Sequence, residues 1–251
     1  VRLHLLHGDK GDRLVVHLVA ILAAFFALAP SLAAAQTQLI ARSRLDEAVA
    51  APNHVRILYA VPVDGWDRIL DMNGTLQEIV ETMQAWMAER ADGMRVRIRT
   101  IDGRPEILFV RLALTQDKPD DVKRTGPEGR TAANKLVRDI DEELRRRTLI
   151  RENEVFAVFY DGIHFGQCGL AMNSAIPAKG TVVLVNLLGT FLPTGVGGCS
   201  RVGTPGTSQK SPLGLSVALL HEVFHALGAV PDCAPDALKG TKHLTSNRYD
   251  L

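Results

Sequence analysis

Two periods of apolar residues alternate along the chain. Residues 54–63 (HVRILYAVPV) are rich in β-branched and aromatic side chains and predict a strand. Residues 74–91 place Leu76, Ile79, Val80, Met83, Trp86 and Met87 at helical spacing. Strict alternation returns in 94–101, with Arg95, Arg97 and Arg99 on one side and apolar residues on the other, and 106–114 is again strand-like. Asp102-Gly103 between these two predicted strands suits a hairpin turn, and the arginine row is read as a solvated sheet face. The polar stretch 115–130, with Pro119, Gly126, Pro127 and Gly129, predicts a surface loop. A charged helix is expected over 129–148, with Leu136, Ile140 and Leu144 as its apolar stripe and Arg145-Arg146-Arg147 complementing its C-terminal dipole. Residues 154–160 (EVFAVFY) and 181–188 (TVVLVNLL) are near-continuous apolar runs, the pattern of buried strands.

Between these elements the chain is punctuated but not divided. Residues 36–53 form a polar lead-in with a short helical turn near Leu45 to Val49. Residues 189–211 are rich in glycine, proline and serine and predict a long connector or rim. Within that stretch Gly195-Val196-Gly197-Gly198 lacks the Gly-Lys-Ser/Thr ending of a phosphate loop. With no internal repeat and no linker, 36–251 is expected to be one α/β domain.

The first 35 residues have a different character. Arg2, Lys10 and Arg13 precede an uncharged apolar run from Leu14 to Ala29, then Pro30 and Ser31, then Ala33-Ala34-Ala35. This is the layout of a cleaved signal peptide; an uncleaved anchor is the competing reading. An extracytoplasmic or secreted protein with no stable membrane span after cleavage is expected. Three of the 29 basic and two of the 28 acidic residues precede residue 36, so the remainder carries 26 of each. That balance, with 5% aromatic residues, gives no reason to expect a nucleic-acid partner. In an oxidising compartment Cys168 and Cys199, both in glycine-rich loops, are the favoured disulfide pair, leaving Cys233 as an odd thiol. The alternative is three small buried cysteines.

Chemistry concentrates in residues 212–229, PLGLSVALLHEVFHALGA. Ser211-Pro212 is a good N-cap and first-turn pair, and Gly228 supplies a helix stop. The helix between them is apolar on nearly every side and is expected to be buried, yet it carries His221, Glu222 and His225. A buried carboxylate needs a partner. Histidines four residues apart project from one face, so their imidazoles can share one Zn²⁺. Glu222 is then placed to take a proton from a zinc-activated water and return it to a leaving amine. A core helix with hydrogen-bonded histidines is the structural alternative. His164 reads as a loop histidine.

His221-Glu222-Val223-Phe224-His225-Ala226-Leu227-Gly228 resembles the zincins, and Gly228 makes it similar to their metzincin branch, H-E-x-x-H-x-x-G-x-x-H/D. The resemblance implies a zincin-like α+β fold, a twisted mixed sheet packed on two long helices, with a protein or peptide substrate extended across the cleft. It implies a zinc metallopeptidase with Glu222 as general base. The motif departs at position 231, where Pro231 stands in place of the third ligand. His243 is the preferred third ligand and Asp232 the alternative, with Asp236 and Asp250 as weaker options. Cys233-Ala234-Pro235, His243 and Asp250-Leu251 also resemble the order found in secreted bacterial zincin-like proteins, which continue into Asp-Leu-Met-Tyr. A methionine turn is therefore expected just after Leu251, in a longer chain. By the same resemblance Tyr249 could stabilise an oxyanion, although a packing role suits it as well. A zinc amidase acting on a non-protein amide and a silent zinc-binding domain are the rival functions.

Overall fold

The computed structural model describes residues 40–44, 54–116, 127–147, 149–150, 153–163, 169–171, 180–188, 212–229, 237–238 and 243–244; for 127–133, 212–213, 237–238 and 243–244 only the backbone is described. The chain divides into two compact units, Val1–Gln38 and Leu39–Leu251, and every described residue falls in the second. The predicted targeting segment and the turn near Leu45 lie outside the described residues.

The longest apolar run makes the central strand. β1 (Ser43–Arg44), β2 (Val55–Val61), β5 (Ile107–Arg111), β6 (Val155–Tyr160), β7 (Gly169–Ala171) and β8 (Thr181–Asn186) form one sheet in the order β1-β5-β2-β6-β8-β7. All neighbours are parallel except β7, which runs antiparallel to β8 along the edge. The register sets Ile57 beside Ala157 and Ala157 beside Val183, so alternate residues of three strands stack on each face. Every residue of β2, β6 and β8 is buried, which explains why β6 and β8 read as near-continuous apolar runs without alternation.

Three helices among the described residues cover the sheet: α1 (Thr75–Arg90), α2 (Pro127–Arg146) and α3 (Pro212–Leu227). Ile57, Tyr59, Val61, Ala157, Phe159, Val183 and Val185 pack against Leu76, Ile79, Val80 and Met83 of α1 and Leu215, Leu219 and Val223 of α3. On the other face Leu58, Phe156, Val158, Val182 and Leu184 pack against Val137, Ile140 and Leu144 of α2. Two helices share one face, with α2 alone on the reverse. The crossover β2–α1–β5 moves one way along the sheet and β5–α2–β6 moves back past β2, so a constant crossover hand requires the two helices on opposite faces.

Two expectations are corrected. The predicted strand 94–101 contributes only β3 (Thr100–Ile101), joined to β4 (Arg104–Pro105) in a hairpin through Asp102 (φ 51°) and Gly103 (φ 77°), with an isolated parallel bridge between Ile98 and Val55. The reason is a side chain: Gln84 of α1 accepts from the Val96 N–H at 2.9 Å and donates to the Val96 carbonyl at 2.6 Å, satisfying what a neighbouring strand would have satisfied. The faces are as expected: Arg95 and Arg97 are exposed, Val96 is buried and Ile98 packs on the core. The second correction concerns α3, which is not buried all round. Leu215, Leu219, Leu220, Val223 and Ala226 are buried, whereas His221, Phe224 and His225 are half-buried and Leu227 is exposed.

At the carboxyl ends of β2 and β6 a polar cluster fixes the loop before α1. Buried Asp161 accepts from the Tyr59 hydroxyl at 2.5 Å and from Arg68 Nε at 2.9 Å, and Arg42 bridges Asp67 and Asp71. Burial, and then the Asp161 charge, hold the Tyr59 hydroxyl far above its usual range and keep it a donor.

Candidate metal centre

α3 is positioned by its neighbours before it can present any side chain. Ser216 donates through Oγ to the Ile79 carbonyl at 2.7 Å, tying the helix to α1. Its C-terminus closes in a Schellman motif: the Gly228 N–H bonds the His225 carbonyl at 3.2 Å and the Ala229 N–H bonds the Phe224 carbonyl at 3.0 Å. Gly228 has φ +70°, a conformation that glycine takes without penalty, so the predicted stop is where the sequence puts it. The last turn, which carries His225, is therefore held by two capping bonds.

One turn apart on this helix, His221 and His225 converge. Their Nε2 atoms are 2.9 Å apart, with ring centroids 4.4 Å apart and ring planes at 89°. Two nitrogens each about 2.05 Å from one zinc ion, at a 2.9 Å separation, subtend about 90° at the metal, and a tetrahedral angle needs about 3.3 Å. Opening the pair by about 0.4 Å is within small rotations of the side chains about their rotamer minima. The two donors fit one cation.

Glu222 sits beside them but faces the sheet. It is buried (7% exposed), and its carboxylate accepts a hydrogen bond from the backbone N–H of Ala171 in β7. Burial pushes the carboxyl up to about 7, against the opposing pull of the Ala171 N–H. Such a group exchanges a proton near neutral pH. The approach is close: a Cβ on Gly169 would lie 2.6 Å from both Cγ and Oε1 of Glu222. β7 can run this near the helix only because residue 169 has no side chain. Among the described residues β7 pairs with β8 alone, so it is an edge strand there, with its outer side toward the glutamate.

Neither β7 nor the role of Gly169 was predicted. The clue available in the sequence was the glycine in Gly166-Gln167-Cys168-Gly169, which drew attention only to the cysteine. Among the described residues no group of three His, Cys, Asp or Glu side chains gathers around a metal position. His243 lies in β10 (His243–Leu244), which pairs antiparallel with β9 (Ala237–Leu238) in a small hairpin where the sequence predicted a loop; its side chain lies outside the described residues. Asp232, Asp236, Tyr249, Asp250, His164, Cys168, Cys199 and Cys233 lie outside the described residues as well.

With this geometry in hand, known proteins add little. No family model matches the chain, and no curated protein does. Two crystal structures of wild-type OgpA from Akkermansia muciniphila, in different crystal forms, are partly similar. Both have a TM-score of 0.36, with 12% and 11% identity, and they cover 78% and 75% of this chain. The chain spans about half the length of those proteins (51% and 52%). Likeness at this level carries no argument about chemistry, which rests on the residues themselves. Among the described residues no helix is long and apolar enough to cross a membrane.

Proposed function

We infer that the chain is an exported, zinc-dependent peptidase of zincin type that hydrolyses peptide bonds. The observation that carries this reading is the convergence of His221 and His225 Nε2 atoms to 2.9 Å, one turn apart, beside a buried glutamate. His221 and His225 would hold the metal, with His243 as the preferred third ligand and Asp232 as the alternative. Bound zinc supplies Lewis-acid polarisation of a carbonyl and lowers the pKa of a water to about 7. Glu222 supplies the proton traffic: it accepts a proton as the carbonyl is attacked and returns it to the departing amine. The edge of β7 offers a backbone rail for an extended peptide, and Glu222 must release the Ala171 N–H for a peptide carbonyl to take it. Residues 1–35 would direct export, and the Cys168–Cys199 bridge would form outside the cytoplasm.

The same 2.9 Å separation suits one imidazole donating to the other, as in a domain without catalysis. Metal content and cleavage separate the two. Zinc and hydrolysis of a mixed protein substrate would be measured for wild type and Glu222→Gln. Stoichiometric zinc in both with cleavage by wild type alone is expected; an absence of zinc, or zinc with no cleavage by either, removes the peptidase reading. His243→Ala and Asp232→Ala, each measured for zinc affinity, assign the third ligand, and an unchanged His243 variant removes the preferred choice.

A further inference from the structure

The segment 94–105 carries a basic surface that the metal centre does not use. Val96 and Ile98 point to the core, so Arg95, Arg97 and Arg99 share the outward side, joined across the β3–β4 hairpin by Ile101 and Arg104. Arg99 is neutralised by Glu106 at 3.2 Å. Arg95, Arg97 and Arg104 are exposed, and none of their three side chains has an ion pair or hydrogen bond among the described residues. Ile101, at 43% exposure, lies on the same face, and Asp92 and Asp102 flank it in the turns.

This surface is held in shape from behind. Gln84 clasps both backbone groups of Val96, and the Val55 N–H bonds the Arg97 carbonyl at 2.8 Å. Arg95 and Arg97 therefore stand on a fixed extended backbone, about 6.6–6.8 Å apart at the Cα atoms. The α1 side chain thus does for an isolated segment what a sheet partner does for a strand, and the ordering cost is met before any ligand arrives.

We propose that this face is a recruiting site for an acidic segment of a protein substrate, bound extended, with carboxylates at alternate positions on Arg95 and Arg97, a third on Arg104 and an aliphatic side chain on Ile101. An extended peptide repeats its same-side groups at the spacing of the arginines. The guanidinium fork matches a carboxylate in two-point geometry. A sulfated glycan or a phosphodiester chain would satisfy the arginines but leave Ile101 in contact with polar groups, and residues 94–105 contain no aromatic ring for base stacking. The peptidase reading supplies the reason for meeting peptides; binding itself does not depend on it.

The test uses the full chain as Glu222→Gln, so that no cleavage intervenes, and a fluorescein-labelled peptide of alternating Glu and Ser ending in Leu, read by anisotropy at low salt. The triple variant Arg95→Ser, Arg97→Ser, Arg104→Ser is expected to bind about tenfold more weakly, the product of three exposed ion pairs at about two- to threefold each. Affinity is expected to fall as salt rises, and Gln84→Ala, with every charge kept, is expected to weaken binding through loss of the clasp. A shuffled peptide with its glutamates in one block is expected to bind more weakly than the alternating one. Unchanged binding by a folded triple variant overturns the proposal. So does a sulfated oligosaccharide or an anionic vesicle that outcompetes the peptide at equal charge and loses its hold in the same variant. Failure of the peptidase reading shows instead as zinc or cleavage absent in wild type, with these anisotropy results unaffected.

Discussion

Glu222 offers a test that needs no substrate. In the metal-free protein its carboxyl is raised from 4.5 to about 7, chiefly by burial. The folded state therefore binds a proton that the unfolded state has released between those two values. Stability must fall as pH rises through that window, with no penalty below about 4.5 and the full penalty above about 7. The gap of about 2.5 units corresponds to about 3 kcal/mol. Glu222→Gln keeps the side-chain shape and cannot ionise. Urea unfolding of chelator-treated wild type and Glu222→Gln at pH 4.5, 6 and 8 isolates the effect. His221 and His225 are present in both proteins, so their contribution largely cancels in the difference. The variant is expected to gain on wild type steadily with pH, by about 3 kcal/mol between the extremes. A difference that stays constant across the range, or that favours wild type at pH 8, would refute the claim that Glu222 is desolvated between α3 and β7.

Three further outcomes follow from contacts already described. Gly169→Ala puts a methyl group 2.6 Å from Glu222 Cγ and Oε1; it is expected to cost about 1–3 kcal/mol in urea unfolding and to abolish cleavage while zinc content stays at the wild-type level. Gly228→Ala forces a left-handed alanine at the Schellman turn and is expected to cost about 1 kcal/mol, read as a lowered unfolding midpoint. Arg68→Ala leaves Asp161 buried with only the Tyr59 hydroxyl among its described partners, and a loss of about 3–5 kcal/mol is expected in the same assay.

What could be read in advance follows from how local each feature is. β2, β6 and β8 were legible because strands buried on both faces are apolar at nearly every position, and that bias shows in one dimension. α1 was legible from Leu76, Ile79, Val80 and Met83, the apolar residues at the centre of its buried face. β1 and β7, with two and three residues, are too short to show any period, and each is a strand only because a neighbour is there to pair with it. The segment 94–101 is the instructive case. Its alternation correctly separated the arginines from Val96 and Ile98, but alternation reports faces and not partners, and here the partner is the Gln84 side chain on a helix.

The candidate metal centre divides along the same line. His221 and His225 can be paired from sequence because the helix itself fixes residues four apart on one face, whatever surrounds it. The proton-handling half cannot. Glu222 has its raised pKa because it is buried, against the pull of the Ala171 N–H some fifty positions earlier, and the bare Gly169 leaves room for its carboxylate beside β7. The same motif on a helix that left the carboxylate in solvent would keep an ordinary pKa and would still offer two imidazoles to a metal. Ligation and proton transfer are thus separable by substitution. On the proposed reading, changes at residues 221 and 225 would act through the metal, whereas changes at 169 would act on the glutamate with both imidazoles untouched.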